Sequence, residues 1–228
     1  MDCIILAGGL GTRLRPAVPH LPKALAPIQG VPFLTLIVRQ LIQSGAISKI
    51  ILAVGYLAEE VIQVFQNAPF PIEFSQEEHP LGTGGATLKA LKKAKGSPVL
   101  VMNGDTYLDV SISEMLAFHR AQKAQGTLAC RRVDNRERFG TVTLSEEGRI
   151  LGFTEKQPGE GVVSGGIYLF NPSLFENLPF GTAFSLEREA FPHFLKHKMV
   201  GFLCEGTFID IGTPESFAES QKLLEPLL

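Results

Sequence analysis

Hydrophobic positions in the first half of the chain follow two alternating rhythms. Short apolar runs bounded by glycine, proline or polar residues lie at residues 3–7, 49–55, 71–75, 98–103 and 127–132, and runs of that length read as strands, several of them buried on both faces. Segments of helical periodicity lie between them and predict helices over residues 31–44, 58–66, 83–95 and 112–125. Gly45, Gly96 and Gly126 close three of these, and Ser111 or Ser113 opens the fourth, as helix termini require. Strand alternating with helix is the pattern of βαβ units on a parallel sheet.

Past about residue 134 the rhythm changes. The stretch "FGTVTLSEEGRILGFTEK" predicts a hairpin turning at Glu147 and Gly148, and "GGIYLF" a further strand. A helix over 184–196, a strand pair around 199–203 and 206–211, and a last helix opened by Thr213 with Pro214 at its first position complete the expected order. The fold class this predicts is α/β: one three-layer, Rossmann-like domain over residues 1–228, with a mixed, mostly parallel sheet and a crevice at the carboxyl ends of its parallel strands.

Composition narrows the setting. The chain is 45% hydrophobic and 19% charged with a formal net charge of −2, so nothing global points to nucleic acid, and any positive field must be local. Such a field is visible: residues 3–58 contain no Asp or Glu, while Arg13, Arg15 and Lys23 gather behind the first strand. Cys3, Cys130 and Cys204 stand singly, which suits ordinary thiols in a reducing compartment better than a zinc site. No basic leader precedes the first strand, and the uncharged run 24–38 is interrupted by Pro27, Gly30 and Pro32. Cytoplasmic location, with no membrane partner, is therefore the expectation.

Three motifs carry chemistry. Gly8, Gly9 and Gly11 follow a strand, where glycines let backbone N–H groups approach an anion. A tight turn alone would use them too, but would not explain the cations beside them. The loop is neither a dinucleotide fingerprint, since Leu14 stands where a third glycine belongs, nor a Walker A loop, since Gly-Lys-Ser/Thr is absent. The apolar run ending in Asn103-Gly104-Asp105 puts a carboxylate at the tip of a buried strand. Such a group suits Mg²⁺, which takes one or two carboxylates plus phosphate oxygens, although it could also simply make a turn. Asp109 is a rival ligand that would otherwise cap the next helix. Asp210, between Ile209 and Ile211, is a carboxylate in an apolar strand, which costs stability unless it is paired or metal-bound. The histidines, His20, His79, His119, His193 and His197, show no metal-ligand spacing and read as surface or packing residues.

The run from Leu6 to Leu14, with Pro22-Lys23, Gly104-Asp105, Glu155-Lys156 and Asp210-Ile211-Gly212-Thr213-Pro214, resembles the successive motifs of the sugar-phosphate nucleotidyltransferases, the NDP-sugar pyrophosphorylases. "RFGTV", "GFTEK", "SGGIYLF" and "FSLERE" are similar to the heptose 1-phosphate guanylyltransferases of bacterial surface-glycan synthesis within that family. The resemblance implies a GT-A-like core, one Mg²⁺, and condensation of an NTP, GTP in that branch, with a sugar 1-phosphate, releasing pyrophosphate. It assigns residues 1–133 to the NTP and 134–228 to the sugar phosphate. Arg13, Lys23, Asp105 and Asp210 become the catalytic set, with Asp105 and Asp210 on the metal. Leu6, Ala7, Gly8, Gly9, Gly11, Thr12, Arg13, Lys23, Gly82, Thr83, Asn103 and Asp105 fall on the nucleotide side. Glu77 joins them as a candidate acceptor for guanine N1–H and N2–H, with Gly82, Gly84 and Gly85 shaping the base pocket. Gly140, Glu155, Lys156, Ser164, Gly165 and Asp210 fall on the sugar-phosphate side. Ala24, Thr106 and Gln157 replace the family's frequent Pro, Asn and Pro without removing a charge. Other readings stay open: mannose 1-phosphate with GTP, N-acetylmuramate 1-phosphate with UTP, or a silent regulatory subunit. Self-association is left open as well.

Overall fold

The computed structural model describes residues 1–137, 139–154 and 158–228. The parallel centre of its main sheet consists of β1 (Asp2–Leu6), β4 (Lys49–Val54), β5 (Ile72–Gln76) and β6 (Val99–Asn103), in the spatial order β6-β1-β4-β5. Strict alternation along these strands explains the layering. Cys3 and Ile5 of β1 and Ile50, Leu52 and Val54 of β4 belong to one apolar cluster, while Ile4, Ile51 and Ala53 belong to the other. Each strand thus needs cover on both faces. Helices α1 (Phe33–Gln43), α2 (Ala58–Phe65) and α4 (Ile112–Ala121) bury Phe33, Ile37, Leu41, Val61, Phe65 and Met115 in the first cluster. Helix α3 (Gly82–Leu91) and the short α5 (Phe191–Phe194) bury Ala86, Ala90, Phe191 and Phe194 in the second. The expected three layers result. A two-residue ladder, β2 (Pro27–Ile28) with β3 (Val31–Pro32), leads into α1.

The sheet continues through the second half of the chain. Strand β11 (Gly161–Phe170) runs antiparallel to β6 on one side and to β8 (Gly126–Val133) on the other. The expected hairpin forms as β9 (Thr141–Leu144) and β10 (Ile150–Thr154), with β9 joining β11 at Thr141 opposite Val163. Among the described residues this sheet has nine strands.

Two expectations are corrected at the C-terminal end. The segments near 199–203 and 206–211 do not pair with each other: β12 (Met199–Cys204) adds parallel to β8, whereas β13 (Phe208–Asp210) pairs antiparallel with β7 (Thr106–Leu108). Burial decides this, because Met199 and Val200 are buried against the sheet while Ile209 belongs to the first cluster. The continuous helix expected over 184–196 instead opens as a π turn, Leu186–Ala190, before α5, with Ala190 N–H reaching Ser185 O over 3.1 Å. Helix α4 is capped by Ser111, whose hydroxyl accepts from Glu114 N–H at 3.2 Å, so Asp109 is not the cap. The last helix, α6 (Pro214–Leu223), carries the expected cap, with the Thr213 hydroxyl accepting from Ser216 N–H at 3.3 Å. No helix among the described residues is long and apolar enough to cross a membrane, and the three cysteines are free and buried.

His119 ties α4 to the sheet. It is 3% exposed, with Nδ1 at 2.8 Å from the Thr127 hydroxyl and Nε2 at 3.4 Å from Asn171 Oδ1. Burial holds its pKa below the ordinary histidine value, against the opposing bond to Asn171. Protonation is therefore easier in the unfolded chain, so this contribution to stability is present above pH ~6.5 and is lost as pH falls through the lower folded value. The melting temperature of the native protein should drop by a few degrees between pH 7 and 5, and His119→Gln should flatten part of that slope; an identical slope in both would contradict the assignment.

Candidate active site

Every central parallel strand ends at the same edge, and the residues immediately beyond each end build one wall of a cleft of about 1170 Å³. After β1 come Ala7, Gly8 and Gly9; after β4, Gly55 and Tyr56; after β5, Glu77; after β6, Gly104 and Asp105. Backbone bonds splice these ends together: Ala7 N–H to Ala53 O at 2.8 Å, Glu77 N–H to Val54 O at 2.8 Å and Gly104 N–H to Leu6 O at 2.9 Å. The crossing is tight. A Cβ at Gly104 would stand 2.8 Å from Leu6 O, and one at Gly8 would stand 2.9 Å from Glu77 Oε1 and 3.1 Å from Gly55 N.

Buried Leu14 and Val18 anchor the glycine loop in the first apolar cluster, leaving Arg13 exposed and directed to the cleft. Arg15 takes a different post, with its guanidinium 5.2 Å from the Tyr56 ring centre and Nη2 donating to Leu10 O at 3.3 Å. It braces the loop. Gly11 and Thr12, expected on the nucleotide side, do not line the cleft. Gly11 serves the turn itself, with φ +59 and Lys23 Cβ at 3.0 Å from where its own Cβ would be.

The two strand carboxylates meet. Register in the β7–β13 ladder sets Asp210 opposite Thr106, and the buried Thr106 hydroxyl lies 3.2 Å from Asp105 Oδ1 and 3.4 Å from Asp210 Oδ2. Asp210 occupies the strand's end and is half-buried, not sealed among its isoleucine neighbours, and its Oδ1 accepts from Gly212 N–H at 2.7 Å. The Lys23 ammonium donates to Asp105 Oδ2 at 2.6 Å and would stand 3.1 Å from a Cβ at Gly212. Lys23, expected on a phosphate, is thus an ion-pair partner of Asp105 in this structure. No group of three or more metal-ligating side chains occurs among the described residues. Two carboxylates facing one hydroxyl, beside an open cleft, still fit a hard divalent cation whose other ligands are substrate and water oxygens.

Glu77 sits in the floor of the opposite half. Its Oε2 accepts from Leu81 N–H at 2.9 Å. Burial raises its pKa, opposed by that bond and by the Lys89 charge. The glycines of the next segment serve packing: a Cβ at Gly82 would stand 2.6 Å from Phe184 O, one at Gly84 would strike the Phe184 ring, and one at Gly85 the Thr182 carbonyl. Of these three, only Gly82 lines the cleft. The expected base-shaping role of Gly84 and Gly85 is therefore corrected to docking of the segment ahead of α5. Thr83, expected on the nucleotide side, lines the cleft. Its hydroxyl donates to Glu187 Oε2 at 2.7 Å and accepts from Leu186 N–H at 2.9 Å, which commits it to the π turn and carries Glu187 into the cleft.

The remaining wall comes from the second half of the chain: Phe139, Gly140, Thr141, Phe153, Ser164, Gly166, Tyr168 and Phe208. Gly140 and Ser164, expected at the sugar phosphate, line the cleft. Gly165 does not, because its Cβ direction points inward to Leu108 Cδ2 at 2.5 Å, and Gly166, at φ +74, faces the cleft instead. Leu6, Ala7 and Asn103 also line it, with Asn103 beside Gly166. Glu155 and Lys156 lie outside the described residues. Tyr56, Thr141 and Glu187 were not singled out from sequence. Gly55-Tyr56 directly behind an apolar strand was a usable signal for the first, while Thr141 and Glu187 lie inside the "RFGTV" and "FSLERE" motifs without being marked within them.

The chain matches the nucleotidyl transferase family over residues 2–226. It is 40% identical, over 99% of both chains, to a D-glycero-alpha-D-manno-heptose 1-phosphate guanylyltransferase of Aneurinibacillus thermoaerophilus. It is 35% identical, over 95% of its own length and 62% of the relative's, to a mannose-1-phosphate guanylyltransferase of Mycobacterium tuberculosis. The crystal structure of HddC from Yersinia pseudotuberculosis complexed with GMP-PN superposes with a TM-score of 0.88 at 30% identity, covering 98% of this chain and 99% of that one.

The Phe184 contact generates a stability prediction. Gly84→Ala should cost roughly 1–3 kcal/mol by overpacking, read as a lower urea midpoint, and an unchanged midpoint would show that the segment ahead of α5 yields freely.

Proposed function

The chain belongs to the nucleotidyl transferase family, and on that premise we propose that it condenses GTP with D-glycero-α-D-manno-heptose 1-phosphate to give the GDP-sugar and pyrophosphate. The observation that carries the proposal is the meeting of Asp105, Asp210 and Lys23 at the centre of one cleft, with Glu77 on one side and Gly140 and Ser164 on the other. The name of the relative at 40% identity supports the choice of base and sugar.

In this reading the glycine loop and Arg13 bind the triphosphate, with Arg13 on the β and γ groups that leave. Glu77 accepts from guanine N1–H and N2–H, for which its lone pairs suffice beyond the Leu81 bond. Lys156 takes the sugar phosphate and Glu155 the sugar hydroxyls. A phosphate oxygen of the sugar 1-phosphate attacks the α-phosphorus, the new P–O bond forms as the α–β bridge breaks, and pyrophosphate departs with the electron pair. The attacking monoester has a second pKa of about 6, so at neutral pH no base is required. Asp105 and Asp210 would hold Mg²⁺, which would supply charge neutralisation on the reacting phosphates. Lys23, paired with Asp105 in this structure, would neutralise charge on the α-phosphate. The work of the protein is then positioning and electrostatics. We place the enzyme in the cytoplasm, where it would supply surface-glycan synthesis.

A second sugar has support of its own in the mannose-1-phosphate guanylyltransferase at 35% identity. Pyrophosphate release across the four NTPs, each paired with heptose 1-phosphate and mannose 1-phosphate, separates the two. Turnover should be greatest with GTP and the heptose, and preference for mannose 1-phosphate would replace the sugar assignment. In the productive pair, Asp105→Asn and Asp210→Asn should each lower kcat at least ~10²-fold, and near-normal rates in both would remove the metal role.

Glu77 adds a pH test. Its raised pKa means that ionisation costs the native state, a cost that grows as pH rises above the ordinary carboxylate value. Glu77→Gln should raise the melting temperature at pH 7 while raising KM for GTP roughly 10-fold or more, and an unchanged KM for GTP would remove Glu77 from the base site.

A further inference from the structure

Two polar side-chain atoms in the cleft wall are buried with no hydrogen-bond partner among the described residues, Asn103 Oδ1 and Thr141 Oγ1. Thr141 is only 5% exposed. The two residues belong to different strands but flank one irregularity. Strand β11 pairs with β6 up to Ile167 opposite Met102 and with β9 at Val163 opposite Thr141, and its register against β8 shifts between Ser164 and Tyr168. At that shift the ladder is open, and Gly166 turns with φ +74 against the Asn103 amide, its Cβ direction ending 3.1 Å from Nδ2.

The Asn103 amide nitrogen faces the turn at Gly166, and the acceptor Oδ1 is left over. Behind the same shift the Tyr168 phenol is 1% exposed and lies 3.4 Å from the Ser164 hydroxyl. Phe139 and Phe208, with ring centres 5.1 Å apart, line the same half of the cleft and offer apolar faces to a ring. Buried polar atoms without partners are rare in folded proteins, because burial without a bond costs stability. Where they line a cleft, a ligand hydroxyl can supply the missing bond.

We propose that Asn103 and Thr141 are specificity-determining contacts for ring hydroxyls of the sugar 1-phosphate, Asn103 Oδ1 accepting from one hydroxyl and Thr141 Oγ1 sharing a bond with a second. The proposal rests on the guanylyltransferase reading and deepens it. It moves Asn103 from the nucleotide to the sugar, and it names the substrate class as a hydroxylated sugar 1-phosphate whose deoxy analogue at either position leaves a buried atom unsatisfied. A site built to bond a hydroxyl discriminates strongly against a substrate that lacks it.

The test uses Thr141→Val, which keeps the shape and removes the hydroxyl, and Asn103→Leu, with KM measured separately for sugar 1-phosphate and GTP and with melting temperatures alongside. Each variant should raise KM for the sugar 1-phosphate roughly 10-fold and leave KM for GTP unchanged. Thr141→Val should melt at or above the wild-type temperature, since no bond within the protein is lost. A purely structural hydroxyl would give the reverse, a lower melting temperature with both KM values intact, and would overturn the proposal. Unchanged sugar 1-phosphate KM in Thr141→Val and in any folded Asn103 variant would overturn it too. Wild-type protein that releases no pyrophosphate with any sugar phosphate would refute the guanylyltransferase reading itself, whereas active wild type with indifferent variants refutes only this step.

Discussion

Three residue pairs of antiparallel backbone, Phe208 with Leu108, Ile209 with Tyr107 and Asp210 with Thr106, hold the rest of the site together. That ladder brings a carboxylate from near the end of the chain to one at the tip of β6, and the Thr106 hydroxyl between them lies within donating reach of either. Two like charges so close repel unless something positive stands beside them. Lys23 does so here at 2.6 Å from Asp105, and Gly212 leaves the room that the arrangement needs. In the proposed reaction the same carboxylates, which Lys23 neutralises in this structure, would hold a divalent metal.

The rest of the fold builds the two flanks of the cleft around that position. Parallel strands end at one edge, so the loops behind β1, β4 and β5 present the glycine turn, Tyr56 and Glu77 on one flank. The antiparallel strands β9 and β11 present the other flank. The segment ahead of α5 packs into the glycine-lined start of α3 through Phe184 and bonds it through Thr83 and Glu187. Glu187, a cleft residue, is thereby held directly by the start of α3.

Much of this was legible in the residues, and the exceptions have physical causes. Alternation and breakers located the parallel strands, because burial on both faces leaves a continuous apolar run that few other structures produce. Asp210 could be singled out because a carboxylate inside such a run demands a reason. The pairing of residues 199–211 could not be read: periodicity tells which face of a strand is buried, not which neighbour it finds. Glycine clusters mark close approach, yet Gly84 and Gly85 admit Phe184 and the Thr182 carbonyl while Gly8 admits Glu77 and Gly55, and sequence does not distinguish these uses. Thr141 and Glu187 belong to residue types common on any surface, and only the β11 irregularity and the π turn give them a place in the cleft.

The central claim is that Asp105 and Asp210 act together as one cation site coupled to the nucleotide. Calorimetric titration of a non-hydrolysable GTP analogue, with and without Mg²⁺, measures that coupling directly in the wild type and in the double variant Asp105→Asn, Asp210→Asn. The account predicts that Mg²⁺ strengthens nucleotide binding in the wild type and loses that effect in the variant. Equal Mg²⁺ enhancement in both proteins would contradict it.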